Sequence, residues 1–251
     1  YAAIRVGAPE REHIMTAALE VTNLVKTFGG LTATNDLSFA LEPGESVGLI
    51  GPNGAGKTTV FSQIMGELRQ TSGSIKLFGT DIGGLSMPER IRRGVSRTYQ
   101  VPRPFADLSV LENIRVGFMP NSVWGMVVGR ANVEQERDLA HEVGFNAADL
   151  EKPASDLSMG DLRKLELART LATGAKLLLL DEVFAGLTVG EITQISALIQ
   201  KLRSQGITML MVSHDLPALD PLVDRVIAIE RGSMIAKGSF AEVIANEEVR
   251  A

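Results

Sequence analysis

The stretch Gly51-Pro52-Asn53-Gly54-Ala55-Gly56-Lys57-Thr58-Thr59 decides how this chain is read. It fits G-x-x-x-x-G-K-[ST], the phosphate-binding loop. The apolar run from Ser46 to Ile50 before it predicts a buried strand, and Val60 to Met65 after it has apolar residues at helical spacing. The motif therefore has the strand–loop–helix setting that it requires, which disfavours a chance match in a Gly-rich turn. Glycines let the backbone turn and aim N–H groups at phosphate oxygens, and the helix N-terminus adds partial positive charge. Lys57 would reach the β- and γ-phosphates, and the Thr58 hydroxyl would ligate Mg²⁺. The expectation is a nucleoside-triphosphate site, with Mg²⁺ as cofactor.

The 251 residues suit one large domain or a domain with a subdomain, and 45% hydrophobic residues allow a sizeable core. A net charge of −5 argues against a nucleic-acid partner held by a general basic field. No apolar run approaches the ~20 residues that span a bilayer, so a soluble chain is expected. No signal-peptide pattern opens the sequence. Cysteine is absent, which excludes disulfides and thiolate metal sites and fits a reducing cytoplasm.

Outward from the loop, Leu19 to Lys26 and Leu37 to Leu41 alternate like half-exposed strands and predict an antiparallel β element. Phe28 follows the first. By itself it reads as a strand-end core residue; the functional alternative is a face for an adenine ring. Residues 1–18 lack periodicity and are expected to be an extension or linker. Gly73 to Gly79 predicts a strand, Met87 to Gly94 a short helix capped by Ser86, and Val95 to Gln100 a strand ending on a polar residue. Strand signals vanish over residues 106–156. Leu108 to Ile114, the apolar stretch Trp124 to Val128 and the charged Val133 to Val143 suggest an inserted helical subdomain.

Leu157-Ser158-Met159-Gly160-Asp161 precedes an amphipathic helix with Leu162, Leu165, Leu167, Ala168 and Leu171 as its apolar stripe. Ser158 reads as its cap, but a capping role leaves Gly160 unexplained, because glycine in a first turn weakens a helix. Leu177 to Leu180 reads as a strand buried on both faces, ended by Asp181 and Glu182. Carboxylates at that end lie where α/β sheets bind ligands. Beside a triphosphate, Asp181 would hold Mg²⁺ through water, and Glu182 would orient or deprotonate the attacking water. Thr208 to Val212 repeats the pattern and ends in Ser213-His214-Asp215, where His214 can donate to a γ-phosphate. Val189 to Arg203 predicts a helix, residues 224–236 a late hairpin, and Ser239 to Asn246 a last helix.

This ordered set resembles an ABC transporter ATPase, and the likeness runs over roughly residues 19–250. The resemblance implies an α/β P-loop NTPase core with a mixed sheet (19–105 and 157–250), an N-terminal antiparallel element and a helical insert (106–156). It implies that Phe28 stacks on adenine, Gly51 to Thr59 hold the phosphates, and Ser158 and Gly160 touch phosphate. It further implies that Gln100 senses Mg²⁺ or water, Asp181 holds the metal, Glu182 is the catalytic carboxylate and His214 the switch. Lys26 to Leu31, Ser96-Arg97-Thr98-Tyr99-Gln100 and Ser158 to Glu166 are similar to the branched-chain amino acid importer ATPases, the first of their two ATPases. The lipopolysaccharide-export ATPase is a near relative, and ABC ATPases that act outside transport form a third alternative. Met159 and Asp161 depart from the usual Leu-Ser-Gly-Gly-Gln, and Val183 and Thr188 depart from the usual Pro and Asp or Asn. The implied partners are a transmembrane permease, a second identical or paralogous ATPase and, indirectly, a periplasmic solute-binding protein. The implied location is peripheral, on the cytoplasmic face of a bacterial plasma membrane.

Overall fold

The computed structural model describes residues 16–119 and 133–250. Its centre is built from the continuous apolar runs. Strands β3 (Ser46–Ile50), β7 (Leu177–Asp181) and β8 (Thr208–Val212) are buried at every position. They lie parallel, with β6 (Val95–Arg97) outside β7 and β9 (Arg225–Glu230) outside β3. β10 (Ser233–Gly238) pairs antiparallel with β9, giving the order β10-β9-β3-β8-β7-β6. The fold is an α/β P-loop NTPase fold with a mixed sheet, as the sequence predicts.

Side chains alternate between two cores on the two faces of this sheet. Leu178, Leu180, Met209 and Met211 enter one, with residues of α5 (Met159–Ala172) and α6 (Val189–Ser204). Leu177, Leu179, Leu210 and Val212 enter the other, with α1 (Lys57–Met65) and a second sheet. Burying a leucine contributes roughly 2 kcal/mol, so four consecutive ones pin β7 at the centre.

The second sheet is four-stranded and antiparallel where paired: β2 (Leu31–Leu41), β1 (Leu19–Phe28), β4 (Ser72–Leu77) and β5 (Thr80–Asp81). β2 starts at Leu31, not at Leu37. Its pairing with β1 shifts register three times, which breaks the alternation along Thr32 to Asp36. Asn23 and Asp36 both have positive φ, and Asn23 Nδ2 donates to Asp36 Oδ1 at 2.7 Å. Ala18, placed with the extension by its sequence, is fully buried; its N–H donates to Leu41 O and its carbonyl accepts from Phe78 N.

α2 (Met87–Arg92) carries the expected capping box from Ser86 and Glu89. The described part of 106–156 holds α3 (Val110–Phe118), α4 (Val133–Glu142) and 3-10 turns at Ala147–Asp149 and Ala154–Asp156. Arg115 Nη2 reaches the buried Glu136 at 2.9 Å and ties α3 to α4. The stretch Trp124 to Val128 lies outside the described residues. Short helices α7 (Leu216–Leu219), α8 (Phe240–Ala245) and α9 (Glu247–Arg250) complete the chain. Because β3, β7 and β8 are parallel, their C-terminal ends bring Gly51, Glu182 and Ser213 to one edge.

Candidate functional site

The phosphate loop leaves β3 at Gly51 and enters α1 at Lys57. Gly56 is the N-cap of α1 at φ 105°. A Cβ on Gly56 would lie 2.4 Å from Ala33 O, and one on Gly51 would lie 2.1 Å from Ile229 O. The loop is thus pressed against the backbones of β2 and β9, and no side chain fits at either place. Lys57 is buried, and its Nζ donates to Gly51 O at 2.7 Å and to Pro52 O at 3.0 Å. Burial lowers the Lys57 pKa, while the Glu182 and Asp181 carboxylates work against that shift. A desolvated ammonium held on loop carbonyls is a cation prepared for an anion.

A cleft of about 390 Å³ opens over the loop. Phe28, Asn53, Gly54, Ala55, Gly56, Lys57, Thr58, Thr59, Gln100, Asp181, Glu182 and His214 all line it. Gly51 and Pro52 line a neighbouring cavity of about 630 Å³, which His214 also borders. Phe28 is 45% exposed, so it is not the core residue that its strand-end position suggests. Its ring carries Lys26 Nζ 4.9 Å from the centroid.

Asp181 ends β7 and is buried; its Oδ2 accepts from Arg97 Nη2 at 2.6 Å, and its N–H donates to Thr98 Oγ1. Glu182 follows in the left-handed region, φ 50°. Its Oε2 accepts from His214 N at 3.1 Å, and its Oε1 lies 3.3 Å from His214 Nε2. A carboxylate and an imidazole are therefore paired in the wall of the cleft that the loop lysine also lines.

Gln100 reaches the cleft, but not from a strand. β6 ends at Arg97, and Thr98 N makes one further bond to Leu179 O. Tyr99 N then donates to Glu166 Oε1 at 2.8 Å, and the Tyr99 carbonyl accepts from Arg163. The backbone thus leaves the ladder for partners on α5, which no pattern within Val95 to Gln100 discloses.

Ser158 and Gly160 are not among the residues around this cleft. Ser158 caps α5, its Oγ accepting from Asp161 N at 3.1 Å. Gly160 packs against α6: its N–H donates to Glu191 Oε1 at 2.9 Å, and a Cβ there would lie 2.6 Å from that atom and push the Glu191 side chain aside. Glu191 in turn forms a capping box with Thr188 at the start of α6. The backbone and hydroxyl bonds from Thr188 and the amide bond from Gly160 hold the Glu191 pKa below its ordinary value, the backbone bond from Thr188 most. Thr188, one of the departures, therefore serves as the α6 N-cap, and Val183 is buried.

Arg97, Arg163, Glu166 and Glu191 belong to this framework and were not singled out by sequence reasoning. α5 buries Arg163 and Glu166 and leaves Leu162 half-exposed, against the expected stripe. An arginine inside the short buried strand Val95–Arg97, and an Arg–Glu pair three apart beside the leucines, were the available signals.

The sequence profile of the ABC transporter family matches residues 34–185, a span running from β2 through the loop, Gln100 and Asp181. The chain belongs to the ABC transporter family. The high-affinity branched-chain amino acid transport ATP-binding proteins BraF of Pseudomonas aeruginosa and LivG of Escherichia coli K12 are each 35% identical over 242 residues, 92% of this chain and 95% of theirs. The lipopolysaccharide export system ATP-binding protein LptB of Escherichia coli K12 is 33% identical over 237 residues, 93% of this chain and 95% of its own. An ATP-binding cassette of an ABC transporter solved in its ADP conformation superposes with a TM-score of 0.83 at 27% identity, covering 93% of this chain and 97% of its own. This ABC protein is an ATP-hydrolysing subunit of a transporter.

Proposed function

We propose that this ABC ATPase powers import of a branched-chain amino acid or a related small polar solute. The observation that carries the reading is the likeness to BraF and LivG over nearly the whole chain, at 35% identity. Lipopolysaccharide export is the second reading, supported by the 33% likeness to LptB. A role for an ABC ATPase outside transport has no comparable support.

The roles assigned to single residues are part of the proposal. ATP lies with its phosphates on Gly51 to Thr59 and its adenine on Phe28. Lys57 exchanges the Gly51 and Pro52 carbonyls for phosphate oxygens. Glu182 accepts the proton of the water that attacks the γ-phosphorus as the bond to the ADP oxygen breaks, and His214 steadies that carboxylate and the γ-phosphate. The Thr58 hydroxyl, Asp181 and Gln100 offer oxygen donors, which suit a hard cation such as Mg²⁺. When bound, Mg²⁺ neutralises charge on the phosphate oxygens.

Ser158 and Gly160 stand apart from their own chain's cleft and in this reading cover the ATP of a second cassette, identical or paralogous. Each site is then complete only on closure, which couples hydrolysis to motion. The described helices within residues 106–156 act as a subdomain. A permease docks near Phe105, which is 47% exposed and has Arg169 4.9 Å from its ring centroid. Among the described residues no helix is long and apolar enough to cross a membrane. The permease would hold the ATPase at the cytoplasmic face of the plasma membrane, with a periplasmic binding protein delivering solute from the other side and no nucleic acid involved.

The test is co-expression with the transmembrane subunits encoded beside this chain. Copurification, with ATP hydrolysis stimulated by a solute-loaded binding protein, is the expected result. Capture of an outer-membrane-directed export assembly instead would favour the second reading, and hydrolysis indifferent to any permease would overturn both.

A further inference from the structure

Arg163 is 1% exposed and sits on α5, five residues after the signature cap Ser158. Its guanidinium reaches two catalytic segments at once. Nη1 donates to Tyr99 O at 2.6 Å and to Glu166 Oε2 at 3.0 Å. Nη2 donates to Gln100 O and to Glu182 O, the latter at 3.3 Å. Glu166 completes the clamp by accepting from Tyr99 N. Nε is buried and has no partner.

These contacts are unusual for a residue kept only for stability. Burying a guanidinium with one N–H unpaired is unfavourable, and apolar residues of similar size often do better. Here the fork's acceptors are, besides the Glu166 carboxylate, the backbone carbonyls of Tyr99 and Gln100 in one loop and of Glu182 after β7. Glu182 is the residue with φ 50°, a conformation that a non-glycine residue adopts only when its surroundings hold it. Its carbonyl is held by Arg163 and Ala185 N, and its amide by Val212 O.

We propose that Arg163 is a positioning residue: it fixes the backbones of Gln100 and Glu182 relative to each other, so that the water-orienting and proton-accepting side chains meet the γ-phosphate in register. Because Ser158 and Gly160 open the same helix, movement of α5 is passed by this guanidinium to both segments of its own subunit. The inference rests on Glu182 acting as the base, as proposed above. Only arginine spans the three carbonyls, since its donors lie in a rigid planar fork, whereas a lysine ammonium is a point charge.

The experiment compares wild type, Arg163→Gln, Arg163→Lys, Glu182→Gln and the double variant Arg163→Gln/Glu182→Gln in the intact chain. ATP affinity is read with a fluorescent ATP analogue, and hydrolysis by single-turnover phosphate release. Arg163→Gln should lower the hydrolysis rate by roughly tenfold to a hundredfold, the scale of a misplaced catalytic group, with affinity within about twofold of wild type. Arg163→Lys should fall between the two. Adding Arg163→Gln to Glu182→Gln should change the residual rate by less than about twofold, because the group being positioned is already lost. An unchanged rate in Arg163→Gln, a parallel loss of affinity and rate, or an equal loss in the Glu182→Gln background would each overturn the proposal. If Arg163→Gln fails to fold, the same comparisons are made with Arg163→Lys. Wild-type hydrolysis in Glu182→Gln would instead overturn the reading of Glu182 as the base, a result separable from the others.

Discussion

Arg97 Nη2 lies 2.6 Å from Asp181 Oδ2, and both side chains are nearly sealed from solvent. The same guanidinium reaches Glu67 Oε2 at 2.9 Å and Ser62 Oγ at 3.0 Å through Nη1. Glu67 follows the end of α1 and also accepts from the Tyr99 hydroxyl. The carboxylate that closes β7 is thereby tied to the helix that begins with Lys57. The two halves of the nucleotide site, far apart in sequence, share one buried cation.

Arg97→Met should be strongly destabilising. It leaves the buried Asp181 carboxylate without its cation, and breaking a buried pair from one side costs about 3 kcal/mol or more. Urea denaturation of the nucleotide-free protein checks this. A loss below about 1 kcal/mol, the scale of an exposed pair, would mean that Asp181 is held by other contacts.

Glu182→Gln should lower ATP turnover by ~10²-fold or more, the scale of a lost general base. ATP should still bind, because the loop and Lys57 are untouched. Steady-state phosphate release beside nucleotide binding gives the answer, and near-normal hydrolysis would remove Glu182 from the role.

Lys57→Ala should abolish measurable ATP binding at ordinary concentrations. The side chain is the buried cation of the loop, and its Nζ already rests on the carbonyls bordering the phosphate cradle. Its loss takes away a charge-assisted contact to phosphate. Titration calorimetry with ATP would sink the loop assignment if affinity were retained.

Glu191 makes a prediction in pH. Contacts from Thr188 and Gly160 lower its pKa from the ordinary 4.5. A carboxylate whose folded pKa is depressed contributes stability that is present above the unfolded value and lost as pH falls through the folded one. Wild type should therefore be more stable than Glu191→Gln at neutral pH, and the difference should shrink as pH drops below 4.5. Thermal midpoints across that range test it. A gap that is constant with pH would show that Glu191 acts by shape rather than charge.

Much of the framework was legible because it is local. Ser46 to Ile50, Leu177 to Asp181 and Thr208 to Val212 are short apolar runs, and burial on both faces of a parallel sheet leaves such runs few alternatives. The capping box at Ser86 announces its helix within four residues. β2 was less legible, since its first half is polar and stays in the sheet through ladder bonds across shifted register. The early end of β6 was illegible for the same kind of reason. The groups that draw Tyr99 and Gln100 out of the sheet, Arg163 and Glu166, lie more than sixty residues away.

The sequence by itself determined the phosphate loop, the two carboxylates that end β7 and the family to which they point. Each is a run of neighbouring residues whose chemistry is set by spacing along the chain. Tertiary structure alone decided that Phe28 is exposed on the cleft, that the Gly160 amide meets Glu191, and that Arg97 and Arg163 bind the two halves of the site. These depend on which backbone carbonyls and carboxylates arrive beside a buried guanidinium or amide. That meeting is produced by the packing of sheet, α1 and α5, and no periodicity in one segment encodes it.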